Sequence, residues 1–315
     1  MAQRIEYIDM AKGVGMLSII IGHNAIPPIL FDWIFSFHVP LFFIISGYFC
    51  SYRPFNELCL KIWKQLLRPM LVTTFVANIG LALIFLKNGE WCGPNISEWI
   101  VDNLLFKGNV TIVGMWFIWA LIWGKLFINM LSKSNIFITI LIVSLLFMLG
   151  YFVYHEYKSY DVWYVERALQ VPLYLFVGML LRKYSVLDKL SNYYIFALSV
   201  FILSVAWLSP INSVFYYYKY GVFSVISAII ISVAVLSVLK LLSEKMNCRM
   251  NLLQFVGRNS LLILCMHGTL HTWQIQKFFT MLPICMFALI EIVVLLFLAY
   301  FLLKLPIVNK LYHSK

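Results

Sequence analysis

The sequence predicts an all-α protein: a polytopic membrane helix bundle of about ten transmembrane helices with both termini cytoplasmic. Composition is the first reason. Of 315 residues, 63% are hydrophobic and only 12% are charged; mean hydropathy is +0.89. A soluble fold of this size could not cover such a core with so little polar surface. Segmentation is the second reason. Apolar runs of about 20 residues, enough to cross the hydrocarbon layer, fall at 8–27, 33–51, 67–86, 112–131, 135–154, 168–182, 193–209, 219–241, 256–275 and 281–303, the sixth and seventh being short. The third is charge asymmetry. With the N-terminus inside, only Lys87, Lys107, Lys158, Arg167, Lys219 and Lys277, of 24 Lys and Arg, fall outside, the bias expected of cytoplasmic loops. An even number of spans returns the C-terminus to the same side. The net charge of +11 therefore needs no nucleic-acid partner.

Composition does not change along the chain, so residues 1–315 are expected to form a single membrane domain. The first apolar run, from near Tyr7, is too long and too charged for a cleaved signal peptide and reads as a retained span. Cys50, Cys59 and Cys248 fall on the cytoplasmic side, Cys265 and Cys285 within spans, and Cys92 stands alone in an outer loop, so no disulfide framework or metal spacing is expected from the cysteines. Asn95 and Asn109 open short glycosylation triplets. Trp91, Trp99, Trp163 and Tyr164 suit an interfacial aromatic belt first and sugar stacking second.

The first span carries a polar stripe. At about 100° per residue, Lys12 and His23 fall about 60° and 40° from Asp9 on one side of the helix. Gly15, Ser18 and Gly22 take another face, suited to close helix packing. Asp9 and His23 are separated by about 21 Å of rise, so His23 lies deep, toward the outer half. Pro27 and Pro28 end or bend the span just beyond it. Ionisable groups inside membranes mark functional sites. The second span opens with His38 ahead of a proline that can kink it, and a short loop makes the two spans an antiparallel hairpin with both histidines near its outer end.

Later spans add further candidates. Glu166 and Arg167 open the sixth span on the outer side, where they could touch a sugar or simply pair with each other. His267 and His271 are spaced i, i+4 in the ninth, with no accompanying Glu or Cys pattern, so no metal is expected. His267 is expected to face a cavity and His271 the interface. Glu291, near the middle of the last span, needs a partner or neutralisation; His267 and Arg258 are the candidates.

Two long motifs, "RIEYIDMAKGVGMLSIIIGH" from Arg4 and "FHVPLFFIISGY" from Phe37, resemble those of the acyltransferase family 3 of integral membrane acyltransferases, in particular its fucose 4-O-acetylase-like branch. Three weaker pieces follow in the family's order: "MWFIWALIWGKLF", "RALQVPLYLFVGMLLRK" and "VGRNSLLILCMH". The resemblance implies about ten helices and transfer of an acyl group, usually acetyl, from cytoplasmic acyl-CoA to a sugar hydroxyl of an exopolysaccharide, a lipopolysaccharide O-antigen or a related or lipid-linked glycan at the bacterial inner membrane. It implies a catalytic role for His23, and it matches Arg4 and Asp9 to family positions. The Arg-x-x-Arg pair of many members is absent; the third span opens "KIWKQLLRPML", with Lys61, Lys64 and Arg68, and lysine lacks arginine's planar fork.

The chemistry requires a base for the sugar hydroxyl, stabilisation of the thioester oxyanion and anchors for the CoA phosphates. Histidine titrates near neutrality and suits the first role, as a base or as a transient acyl carrier. His23, with Asp9 and His38, is therefore the expected catalytic group. Arg4, Lys12, Lys61, Lys64 and Arg68 are the expected anchors for acetyl-CoA, and Glu166, Arg167, His267 and Glu291 the expected acceptor-side residues. No permanently bound cofactor is expected. The rival is a proton-coupled transporter or flippase using His23, His38 and Glu291. Such folds show paired broken helices in two halves, and only the N-terminal hairpin here is of that kind.

Overall fold

The computed structural model describes residues 5–24, 26–88, 114–156, 163–213, 215–246, 248, 250–273 and 284–313. Arg4, Cys92, Trp91, Trp99 and the triplets at Asn95 and Asn109 lie outside them. The described chain is overwhelmingly helical, and each predicted span overlaps at least one helix. Helix α1 is Glu6–Gly22, α2 Pro28–Phe35, α3 His38–Tyr48, α4 Phe55–Ile62 and α5 Arg68–Asn88. Then follow α6 Met115–Leu131, α7 Ile136–Glu156, α8 Val165–Ala168, α9 Val171–Lys183, α10 Val186–Lys189 and α11 Tyr193–Ser204. The last are α12 Val222–Glu244, α13 Asn251–Arg258, α14 Ser260–Thr272, α15 Ile284–Leu302 and α16 Pro306–Tyr312. Between α11 and α12 a small antiparallel pair, β1 Ile211–Asn212 and β2 Tyr217–Tyr218, sets Ile211 opposite Tyr218.

Among the described residues, four helical stretches are long and apolar enough to cross a membrane: Pro28–Tyr48, Phe55–Ile84, Ile136–Glu156 and Val222–Glu244. A fifth is Met286–Leu302 if it is taken with Pro306–Tyr312, from which it is bent by 108°. Helix α7 displays what lipid contact requires: Phe137, Leu141, Leu145, Met148 and Phe152 all face outward. A continuous apolar surface of this kind would be an aggregation liability in water.

Helix α1 does the opposite. It is buried on nearly every face, polar Asp9 and Ser18 included. Its first half (Tyr7, Ile8, Met10, Ala11) joins one apolar cluster and its second half (Met16, Ile19, Ile20) another, so it runs between the two cores of the molecule. Gly15 meets Phe42 of α3, and Gly22 meets Ile34 and Phe35 of α2. Gly13 and Gly257 press backbone to backbone: a Cβ on Gly13 would overlap Leu253 of α13, and one on Gly257 would overlap the Asp9 carbonyl.

Proline chemistry corrects three boundaries. Helix α1 ends at Gly22, ahead of His23 and short of the expected 27, and Pro28 opens α2 instead of merely closing the loop, because its missing N–H costs nothing at a first helical position. The second span therefore starts at Pro28, not near 33, and breaks at Ser36–Phe37, where Pro40 has no N–H to offer the Ser36 carbonyl. The third begins at Phe55, well before 67, and passes Pro69 through a π-helical turn at Trp63–Leu67. The ninth is interrupted at Asn259, which separates α13 from α14.

Candidate active site

His23 caps α1 where the helix stops, with φ −87° and ψ −4°. Its Nδ1 lies 2.8 Å from the Ile19 carbonyl oxygen. A carbonyl can only accept, so Nδ1 carries the proton and Nε2 offers its lone pair. The side chain is exposed, whereas the groups behind it are not. His267 of α14 sits with its ring centroid 5.3 Å from that of His23, and His271, one turn on, at 6.1 Å.

Both histidines turn to one carboxylate. Glu291 of α15 accepts from His267 Nδ1 at 2.8 Å, and its same oxygen lies 3.3 Å from His271 Nε2. The other carboxylate oxygen accepts from Asn24 Nδ2 at 2.8 Å, while Asn24 also donates to the Ile20 carbonyl. Glu291, Asn24 and His267 are all buried. An isolated carboxylate in such surroundings would be prohibitively costly; here both oxygens are satisfied, by His267 of α14 and by Asn24 just past the end of α1.

The expected residues divide among several places. Of the two partners considered for Glu291, His267 takes the role. Arg258 instead donates to Asp9 at 3.1 Å, with Lys12 4.0 Å from the other Asp9 oxygen. Asp9 thus ties α1 to α13 at the end of α1 remote from His23. His38 is buried with its Nδ1 against the Ile34 carbonyl at 2.9 Å and its ring edge-on to Phe35. His271, expected at the interface, belongs to the histidine cluster. The carboxylate missing from the local sequence pattern around His267 and His271 is supplied by Glu291 of another helix, and the three could hold a metal ion.

Glu166 and Arg167 belong to a different polar cluster. They lie 3.9 Å apart, with the guanidinium over the rings of Tyr164 and Tyr154. Trp163 and Tyr164 both take left-handed backbone conformations, φ 53° and 52°, a strain that surrounding structure must sustain. Trp163 is pinned by stacking on Trp119 and by the Trp123 indole N–H donating to its carbonyl. Burial, with neighbouring Glu166, pushes the Tyr216 hydroxyl above its ordinary range, so it stays protonated and donates to the Glu166 carbonyl at 2.6 Å.

A cavity of about 310 Å³ opens at the other end of α1. Among the described residues, Lys12, Arg53, Lys61 and Lys125 line it and no carboxylate does. Its walls then become apolar, through Met16, Phe42, Phe117 and Leu121, and its lining includes Ile19 and Leu264. His23 lies four residues beyond Ile19 and His267 three beyond Leu264, about one helical turn in each case. Lys64 and Arg68 are not among the lining residues. Arg68 donates to the carbonyls of Lys310 and Leu311, holding α16 across α5.

The family profile described as an acyltransferase domain matches residues 5–307. The chain belongs to acyltransferase family 3. This family member is 32% identical over 144 residues to the protein titled "Nodulation protein NolL" of Mesorhizobium japonicum; the match covers 40% of this chain and 36% of that protein. The chain thus spans about a third of the length of that curated relative. No solved structure matches.

Asn24, His271, Arg53 and Lys125 were missed as site residues from the sequence. Two signals were available. His271 shares a helix face with His267 by its spacing, and Lys125 is the lone cation inside the apolar run "MWFIWALIWGKLFINML". Asn24 and Arg53 carry no local signal; their positions follow from tertiary packing.

Proposed function

We propose that this acyltransferase is a membrane O-acetyltransferase of the bacterial inner membrane, moving acetyl from cytoplasmic acetyl-CoA to a sugar hydroxyl of a cell-surface glycan. The observation that carries the reading is the cation-lined cavity that becomes apolar and stops one turn short of His23. CoA demands that order of chemistry. Its phosphates need charge-assisted donors, which Lys12, Arg53, Lys61 and Lys125 supply at the mouth. Its pantetheine arm needs a narrow and largely apolar passage, which Met16, Ile19, Phe117 and Leu264 provide. Its thioester then meets an imidazole.

In this reading His23 Nε2 faces the reacting carbon or the attacking hydroxyl. The Ile19 carbonyl fixes the tautomer that leaves this nitrogen unprotonated. As a base, His23 takes the hydroxyl proton while the oxygen attacks the thioester carbonyl; C–O forms, C–S breaks and the proton passes to the thiolate. As a carrier, it holds the acetyl group between two such steps. The exposure of His23 admits an acceptor from the face opposite the cavity.

The test is genetic and chemical. Deleting the gene should remove base-labile acetate from the cell's surface glycans; wild type should restore it and His23→Ala should not. Unchanged acetate after deletion, with altered solute flux, would instead establish a transporter.

A further inference from the structure

The mechanism above uses one imidazole, yet the site holds three, and they are not equivalent. His23 is backed by a neutral carbonyl, that of Ile19. His267 is backed by a carboxylate: Nδ1 meets Glu291 at 2.8 Å. That carboxylate is itself fixed, by Asn24 on its other oxygen and by His271 at 3.3 Å. With Nδ1 committed to Glu291, the lone pair of His267 is on Nε2. This nitrogen is buried and, among the described residues, has no hydrogen-bond partner. A buried nitrogen without a partner is costly, and a catalytic role is one of the reasons for which proteins retain such an atom.

We infer that the His267–Glu291 pair is the proton store behind His23: it accepts the acceptor hydroxyl's proton by way of His23 and returns it to the departing thiolate. The proposal rests on the acetyltransferase reading and divides the labour within it. The hydroxyl proton moves to His23 Nε2 as the new C–O bond forms. It then moves to His267 Nε2, so that the positive charge comes to rest beside the Glu291 carboxylate instead of beside a carbonyl. When the C–S bond breaks, the thiolate sulfur takes the proton back through His23. The net change is a proton exchanged between oxygen and sulfur, with nothing oxidised or reduced.

Charge is the reason for the second imidazole. An imidazolium in a low-dielectric interior is far better placed against an anion than against a peptide dipole. The ionisable groups around this cluster are His23 at the end of α1, His267 and His271 from α14 and Glu291 from α15, with buried His38 of α3 close enough to His23 to interact with it electrostatically; α5, which also packs on α14, carries the polar side chains Thr74 and Asn78. His267 and Glu291 act through His23, so they are positioning residues and not contacts of the acceptor. His267 is only 1% exposed, in agreement with that role.

The test uses full-length protein in detergent or nanodiscs, with acetyl-CoA as donor and release of CoA in the presence of surface glycan as readout. Wild type must first turn over; if it does not, the acetyltransferase reading fails, and the division of labour with it. Given turnover, Glu291→Gln should lower kcat by about 100-fold or more, in the range of general-base effects, with KM for acetyl-CoA changed less than about twofold, since the cavity cations are untouched. Glu291→Asp, which keeps the charge, should recover about tenfold of that loss. His267→Gln should resemble Glu291→Gln, and the double variant should be little worse than either, because a unit is lost only once. Monodisperse size-exclusion profiles and unchanged melting temperatures separate these effects from misfolding. Wild-type kcat in Glu291→Gln, or equal losses in kcat for the Asp and Gln variants, would overturn the proposal. So would one equivalent of a tightly bound divalent metal in purified wild type that disappears in His267→Gln, since the cluster would then be a metal centre.

Discussion

The two ends of α1 solve opposite problems. At the His23 end, charge and polarity are gathered from α1, α14 and α15 and satisfied internally: Glu291 has donors on both oxygens. At the other end, four cations border open space with no carboxylate among them. In the proposed reading the first arrangement serves as a preorganised reaction centre, its carboxylate already satisfied. The second is that of a receptor for an anion still to come. One helix carries both, and its packing between two apolar clusters holds them at a fixed separation.

The sharpest way to break this comparison is at the reactive end. His23→Ala should abolish transfer, lowering kcat by about 10³-fold or more, with the donor still bound. Equilibrium binding of acetyl-CoA to the variant checks the second half. If binding is lost as well, the two ends are not separate. The link between them comes next. Gly257→Ala would drive a methyl into the Asp9 carbonyl and should destabilise the protein by about 1–3 kcal/mol, as overpacking does, seen as a lower melting temperature in detergent. At the receptor end, Lys61→Ala and Lys125→Met should each raise KM for acetyl-CoA by about tenfold and leave kcat nearly unchanged, the cost of one charge-assisted contact. Smallest is Arg68→Ala. Because its guanidinium serves the C-terminal helix carbonyls, it should cost about 1 kcal/mol of stability with little change in KM. A KM effect as large as that of Lys61→Ala would put Arg68 back among the phosphate anchors.

The sequence made the helices legible for a simple reason: crossing a membrane imposes a length and a composition that single segments declare by themselves. Each predicted span overlaps a helix among the described residues, and where boundaries slipped at Pro28, Pro40 and Pro69, the error lay in how a proline is accommodated, not in whether a helix exists. The site was legible only in part. His23 stood out because an imidazole is rare in such a run, and Glu291 because an unpaired carboxylate is rarer still. Which partner Glu291 would find was undecidable from the chain alone, since His267 and Arg258 are both within reach in sequence terms; the break at Asn259 sends Arg258 to Asp9 and leaves His267 to Glu291. The cavity cations were the hardest to foresee. Lys12, Lys61, Lys64 and Arg68 look alike as cytoplasmic charges, and only the path of the π-helical turn and the placement of α16 distinguish those that face the cavity from Arg68, which ties down the C-terminal helix.

The crossing of α1 and α13 at Gly13 and Gly257 has a mechanical meaning. With two backbones this close, neither helix can slide or roll without first separating from the other, so α1 behaves as a fixed post. A carrier that alternates between two faces must rock the helix bearing its substrate site, and this post is badly placed for such a task. The crossing favours a machine whose working parts stand still while its reactants travel: in the proposed reading, a donor threading up one side of the post, an acceptor arriving at its tip, and an acyl group and a proton changing hands between them.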